Sequence, residues 1–127
     1  MITAEIITIG TEIVLGQIVD TNTPYIAQNL SEKGIQVLFH TSVGDDKELL
    51  KSALKIARDR VNLIITTGGL GPTENDITRE AITEFLCVPL ISDEEAHTRI
   101  RTFLESRHAQ ITNGHQKQAL IPSGSFA

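Results

Sequence analysis

Leu63-Ile64-Ile65-Thr66-Thr67-Gly68-Gly69-Leu70-Gly71-Pro72-Thr73-Glu74-Asn75-Asp76-Ile77-Thr78 is the stretch whose reading decides the fold. The aliphatic run from Val61 to Ile65 has the character of a parallel strand covered by helices on both faces. Three glycines follow within four positions, where the backbone can turn sharply and another molecule can approach the main chain without meeting a Cβ. From there Ile77, Ala81, Ile82, Phe85 and Leu86 recur on one face of a helix predicted over 77–86. A strand, a glycine loop and a helix N-terminus together form a site for an anion, because unpaired N–H groups and the helix dipole point the same way. Phosphate is the natural occupant. The same geometry also serves as a plain tight turn, and the loop carries neither a Walker lysine nor a G-x-G-x-x-G fingerprint.

Outward from this stretch, strands and helices alternate without linkers or repeats. Ala4 to Ile9 reads as a strand, and a loop rich in Gly, Thr and Glu leads to Thr23-Pro24, a threonine cap followed by proline at the first helical position. That helix ends at Gly34. Ile35 to Val43 is the next strand, and Asp45-Asp46-Lys47-Glu48 opens a helix carrying Leu49, Leu50, Ala53, Leu54 and Ala57 at helical spacing. Val88 to Ile91 reads as a short strand, and Ser92-Asp93-Glu94-Glu95 has the S-x-x-E form of a capping box before a charged helix reaching about Arg107. The alternation predicts an α/β fold, a three-layer α/β/α domain with a mostly parallel sheet and strands near 4–9, 35–43 and 62–67. Ligands of such sheets sit beyond the carboxyl ends of the strands, where the loops Gly10–Gly16, Asp45–Asp46 and Gly68–Thr73 all lie.

With 127 residues and 40% hydrophobic content, the chain can bury roughly two-thirds of the surface its unfolded form exposes. A net charge of −5, with no arginine cluster and few aromatics, argues against nucleic acid as a partner. The apolar start is broken by Glu5 and Glu12 and lacks a basic leader, so neither a signal peptide nor a membrane span is expected, and a cytoplasmic location is. Cys87, the single cysteine, is expected to pack as a small buried hydrophobe. His40, His97, His108 and His115 show no zinc spacing and read as surface or loop residues.

Glu12, Asp45 and Asp76 follow three strand ends and are the candidate catalytic carboxylates, expected to converge on one crevice. Taken singly, Asp45 and Asp76 also suit N-caps of the helices that follow them. Glu12 lies between Gly10 and Gly16, where no helix start is expected. Carboxylates beside a phosphate cradle repel the phosphate unless a cation lies between them. Mg²⁺ is held in this manner, by one or two protein carboxylates plus substrate oxygens and water. The chemistry so permitted is attack on a phosphoanhydride.

G-G-L-G-P-T-x-x-D-x-T at Gly68–Thr78 resembles the signature of the molybdopterin-binding domain family, which includes MogA, MoaB and the central domain of MoeA. Within that family the leucine form of the loop is similar to CinA-type N-terminal domains. So are Gly10-Thr11-Glu12-Ile13-Val14-Leu15-Gly16-Gln17-Ile18-Val19-Asp20-Thr21-Asn22 and Thr41-Ser42-Val43-Gly44-Asp45-Asp46. These three ordered motifs span the chain from its first strand to about Pro122. The resemblance implies a MogA-like fold. Asp45 and Asp76 fall on two family aspartates tied to adenylyl transfer, and are the metal ligands it implies. Thr67, Gly68, Gly69, Gly71, Thr73 and Thr78 fall on its phosphate-binding loop, and Gly10, Thr11, Gly16, Asn22 and Pro72 complete the substrate-binding set. CinA-type domains are associated with hydrolysis of ADP-ribose at its pyrophosphate, with Mg, Mn or Co as the divalent metal. Asn75 departs from the pattern, because many CinA-like sequences place another aspartate there.

The expected partners are a small nucleotide or pterin and further copies of the chain, as a dimer or trimer. Ala119-Leu120-Ile121-Pro122 looks like the start of a further strand. Family members continue into another glycine loop and a proline-glycine-proline motif, so residues 1–127 are expected to lack the C-terminal part of the domain. Three readings follow: a metal-dependent hydrolase of ADP-ribose, a molybdenum cofactor protein that binds molybdopterin and transfers adenylate, and a sensing domain without catalysis.

Overall fold

The computed structural model describes all 127 residues. Its elements in order are β1 (Thr3–Ile9), α1 (Thr11–Val14), α2 (Asn22–Glu32), β2 (Gln36–Val43), α3 (Lys47–Arg60), β3 (Leu63–Thr67), α4 (Thr78–Leu86), β4 (Leu90–Ser92), α5 (Glu94–Ser106), α6 (Asn113–Lys117) and β5 (Leu120–Pro122). β1 lies between β2 and β3 in a three-stranded sheet, parallel to both. It therefore has a neighbour on each edge, and Ala4 through Ile9 are all buried. Ile7 and Ile9 pack with Leu50, Ala53, Leu54 and Ala57 of α3 and Ala81 of α4. Burying a side chain such as Ile7 or Leu50 contributes roughly 1.5–3 kcal/mol. On the opposite face Thr8 meets Thr23 of α2, their hydroxyls 2.8 Å apart. Helices thus cover both faces, and the expected α/β/α layering with parallel strands near 4–9, 35–43 and 62–67 is what the chain adopts.

Several local expectations need correction. β3 is half-buried along its whole length, because it is a sheet edge and not an interior strand. β4 and β5 do not extend the parallel sheet. They pair antiparallel with each other, Leu90 opposite Pro122 and Ser92 opposite Leu120. The chain turns away after α4 through Cys87, whose φ of 56° is left-handed. That cysteine is exposed at the helix end, as is Leu86, so neither joins the core.

Helix starts also differ from the expected caps. α2 begins at Asn22, and its first turn is held by Asp20, whose Oδ1 accepts the Thr23 N–H at 3.0 Å. α3 is capped by Asp46, which accepts from Leu49 N at 2.9 Å, and not by Asp45. α5 is capped by Asp93, which accepts from Ala96 N at 2.8 Å, because Ser92 still belongs to β4. Ile77 precedes α4, which has no side-chain cap, so Asp76 does not cap it. Glu12 sits in the first turn of the short α1, where no helix was expected.

Candidate functional site

From the central β1 the chain crosses to β2 on one side and later returns to β3 on the other. The carboxyl ends of β1 and β3 therefore flank a topological switch point, the place where open α/β sheets bind ligands. A cleft of about 210 Å³ lies there. Its polar walls include Thr8, Glu12, Asp20, Asn22, Thr67 and Gly68, and Ile13, Ile18 and Val19 supply apolar surface.

Asp20 organises one wall. Its carboxylate accepts from the Thr23 N–H, the Thr23 hydroxyl and the Thr8 hydroxyl. Burial alone would raise its carboxyl, but the bonds from Thr23, Thr8 and the Asn22 N–H outweigh that and hold it below the usual carboxylate range. Asn22 then reaches across, its Nδ2 donating to Thr67 Oγ1 at 3.1 Å, and so ties the start of α2 to the end of β3. Glu12 folds back over Gly10, where an added Cβ would lie 2.8 Å from its Oε1. Its carboxylate makes no hydrogen bond or ion pair within the chain and is a free acceptor in the cleft.

The glycine loop is tightly packed. At Gly68, φ is +97° and a Cβ would stand 2.1 Å from the Ile9 carbonyl oxygen. At Gly69 a Cβ would meet Thr78 Oγ1, also at 2.1 Å. The fully buried Thr78 donates its hydroxyl to Gly68 O at 2.8 Å and its N–H to Gly69 O at 3.2 Å. It fastens the loop to α4 and does not face the cleft.

Asp76 changes the reading of the rest of the loop. Its Oδ2 accepts from Thr73 N at 2.9 Å and Thr73 Oγ1 at 2.7 Å. The Thr73 hydroxyl, foremost, outweighs burial and holds this carboxyl below its ordinary value, with help from the N–H groups of Thr73 and Gly71 and from the Lys117 charge. The N–H nest between Gly71 and Thr73 is thus already filled by the chain's own carboxylate. This corrects the expectation that the whole Gly68–Thr73 backbone lines the cavity: Thr67 and Gly68 line it, whereas Gly69, Gly71, Pro72 and Thr73 do not.

Asp45 is engaged separately. Its Oδ2 accepts the Thr11 N–H at 3.2 Å while its own N–H donates to Thr11 Oγ1 at 3.0 Å, so it clasps the loop after β2 to the start of α1. Gly16, with φ +71°, is an exposed turn residue beyond α1. Of the three candidate carboxylates only Glu12 lines the cleft, and no three His, Cys, Asp or Glu side chains are grouped so as to hold an ion. Asp20 and Thr8 were overlooked as wall residues. The signal was present, since an acid three positions before a threonine at a helix start is a capping pattern. Lys117, which touches the loop from more than forty residues away, left no local signal.

The fold, a parallel α/β unit with a cleft at its switch point, is that of the molybdopterin-binding domains. The chain belongs to this family: the model described as a probable molybdopterin binding domain matches residues 5–124. A protein of Caldanaerobacter subterraneus subsp. tengcongensis named as competence-damage inducible is 54% identical over 121 residues, 95% of this chain and 29% of that protein. The CinA-like protein of Dictyoglomus thermophilum is 49% identical over the same shares. The chain thus spans under a third of the length of these curated relatives. Among solved structures, the protein CinA of Thermoplasma acidophilum aligns with a TM-score of 0.85 at 33% identity, covering 95% of this chain and 70% of that one. MoaB of Thermus thermophilus, a molybdopterin biosynthesis enzyme, aligns with a TM-score of 0.64 at 26% identity, covering 80% and 64%. No helix is long and apolar enough to cross a membrane.

Proposed function

We propose that the switch-point cleft binds the phosphate end of a nucleotide, and that the protein hydrolyses the pyrophosphate of ADP-ribose or a similar dinucleotide. The observation that carries this reading is the free Glu12 carboxylate in one cleft with the Gly68 backbone and the Asn22–Thr67 pair. Water adds to one phosphorus, the bridging P–O bond breaks, and ADP-ribose gives AMP and ribose 5-phosphate, the proton of the water passing to Glu12 or solvent. The residues build no preformed metal centre. They suit a cation, Mg²⁺, Mn²⁺ or Co²⁺, that takes most of its ligands from phosphate and water. Glu12 would hold it from the cleft wall, while Asp45, clasped to Thr11, and Asp76, bound to Thr73, would act from outside that wall. When bound, such an ion polarises a phosphoryl group and lowers the pKa of a bound water.

Molybdopterin binding with adenylyl transfer is the second reading, supported by the family model and by the likeness to MoaB. Both readings place a small phosphate-bearing molecule in the same cleft, one with hydrolysis and the other with adenylyl transfer, and assembly into dimers or trimers is proposed with either. The test incubates the full-length protein with ADP-ribose and each metal and follows AMP. Glu12→Gln, Asp45→Asn and Asp76→Asn are each expected to lower turnover at least about 100-fold, close to 3 kcal/mol in the barrier. The melting temperature is expected to be nearly unchanged for Glu12→Gln and Asp45→Asn and lowered for Asp76→Asn, which loses the charge that the Thr73 bonds favour. Full activity in all three variants overturns the assignment. Binding without AMP formation favours the pterin or sensing reading.

A further inference from the structure

We propose that Lys117 is a positioning residue for the glycine loop, an inference whose link to ligand binding rests on the proposed role of Asp76, because the braced residues Leu70–Asp76 stand behind the cleft wall formed by Thr67 and Gly68. The Lys117 ammonium lies beneath the loop and donates to two of its carbonyls, Thr73 O at 2.9 Å and Asp76 O. Glu80 Oε1 stands 3.3 Å from it as counter-charge. The second oxygen of Glu80 is buried without a hydrogen-bond partner, and Lys117 together with the neighbouring Arg79 supplies the charge that offsets it.

The same short segment makes two further contacts with the loop. Gly114 lies so close to Pro72 that a Cβ would stand 2.2 Å from the Pro72 carbonyl oxygen. Gln118 Nε2 reaches Leu70 O at 3.4 Å, beside Arg79 Nη1 at 2.9 Å from the same oxygen. Inside the loop the backbone supplies little: Asp76 N donates to Thr73 O at 3.2 Å, and Thr78 N to Gly69 O. Three loop carbonyls are therefore turned inward by side chains from outside it. Two of them share one ammonium, without which Thr73 O keeps only the Asp76 N–H and Asp76 O loses its donor. The Thr73 N–H and hydroxyl that hold Asp76 move with that backbone. Segment 113–118 is thus a strut that sets where Asp76 and the loop stand relative to the cleft.

The experiment measures amide hydrogen exchange and ADP-ribose affinity in the full-length protein for wild type, Lys117→Met, Lys117→Arg and Gly114→Ala. Lys117→Met and Gly114→Ala are expected to speed exchange of the Gly71–Ile77 amides at least tenfold, with the β1 and α3 amides unchanged, and to weaken ADP-ribose binding at least tenfold. Lys117→Arg, which can still donate to both carbonyls, is expected to keep the loop slow and binding near wild type. Unchanged loop exchange in Lys117→Met overturns the proposal, as does a rise spread evenly over the protein or an arginine variant that behaves like methionine. A loosened loop with ADP-ribose affinity intact overturns its link to the site. A wild type that binds no ADP-ribose counts against the functional reading alone, because loop exchange still decides the positioning role.

Discussion

Gly68 and Gly16 share a positive φ but not an environment, and the difference can be measured. At Gly16 a Cβ would meet nothing within 4 Å, so Gly16→Ala carries only the left-handed backbone penalty, about 1–2 kcal/mol. At Gly68 the added Cβ collides with the Ile9 carbonyl, which is fixed in the central strand. Gly68→Ala is expected to cost about 3 kcal/mol or more in denaturant unfolding. Equal losses at the two positions would show that the strand-end loop can shift, and that glycine is not required there for packing. This requirement was legible in the sequence as three glycines after an aliphatic strand. The partner of Asp76 was not. An acid can accept an N–H three residues after it, as a cap does, or three residues before it, as Asp76 does with Thr73. Residue types alone do not distinguish the two directions.

At the scale of elements, β1, β2, β3 and the helices α2 to α5 were legible because hydrophobic period and length both identify them. The antiparallel pairing of β4 with β5 was not, since strands of three residues carry no period and their partner depends on where the chain re-enters after α6. The five-residue α6 is too short to show a period, yet it carries the capping pair Thr112–His115 and the lysine beneath the loop. Helix starts were located but their caps were misassigned by one residue at both acidic clusters. The geometry makes that difference testable. Asp46→Ala and Asp93→Ala each remove a side chain that accepts a first-turn N–H, and each is expected to cost about 1 kcal/mol. Ser92→Ala removes no cap and is expected to stay within about 0.5 kcal/mol of wild type. Urea midpoints for the three variants check this, and a loss at Ser92 equal to that at Asp93 would restore the S-x-x-E box.

Across the whole molecule, the least expected feature is a carboxylate in the middle of the buried central strand. Glu5 has no exposed surface. Arg60 of α3 grips it with Nε at 2.8 Å and Nη2 at 2.7 Å, Thr41 of β2 donates to it at 2.6 Å, and the guanidinium lies 3.7 Å from the centre of the Phe39 ring. The cluster joins β1, β2 and α3, three elements far apart in sequence, and for that reason an isolated Glu5 near the N-terminus gave no sign of it. Burial pushes the Glu5 carboxyl up, but Arg60 and Thr41 outweigh it and leave the group below its ordinary value. Glu5, Asp20 and Asp76 are all depressed in this way. Their contribution to stability is complete above the unfolded carboxylate range, about pH 4, and is lost as pH falls through their lower folded values. The wild type is therefore expected to hold its unfolding free energy from about pH 7 to 5 and to lose it below about pH 4. Arg60→Met removes the main opposing contact and leaves burial to raise the Glu5 carboxyl above its unfolded value. A raised group stabilises below its unfolded pKa and loses that contribution as pH rises through the folded one, so the sign of the dependence inverts. The variant is expected to be weakest at pH 7 and to gain stability on acidification toward pH 5. Urea unfolding at pH 7, 6 and 5 decides it, since a variant as flat as wild type over that range would mean that Arg60 is not what keeps Glu5 charged.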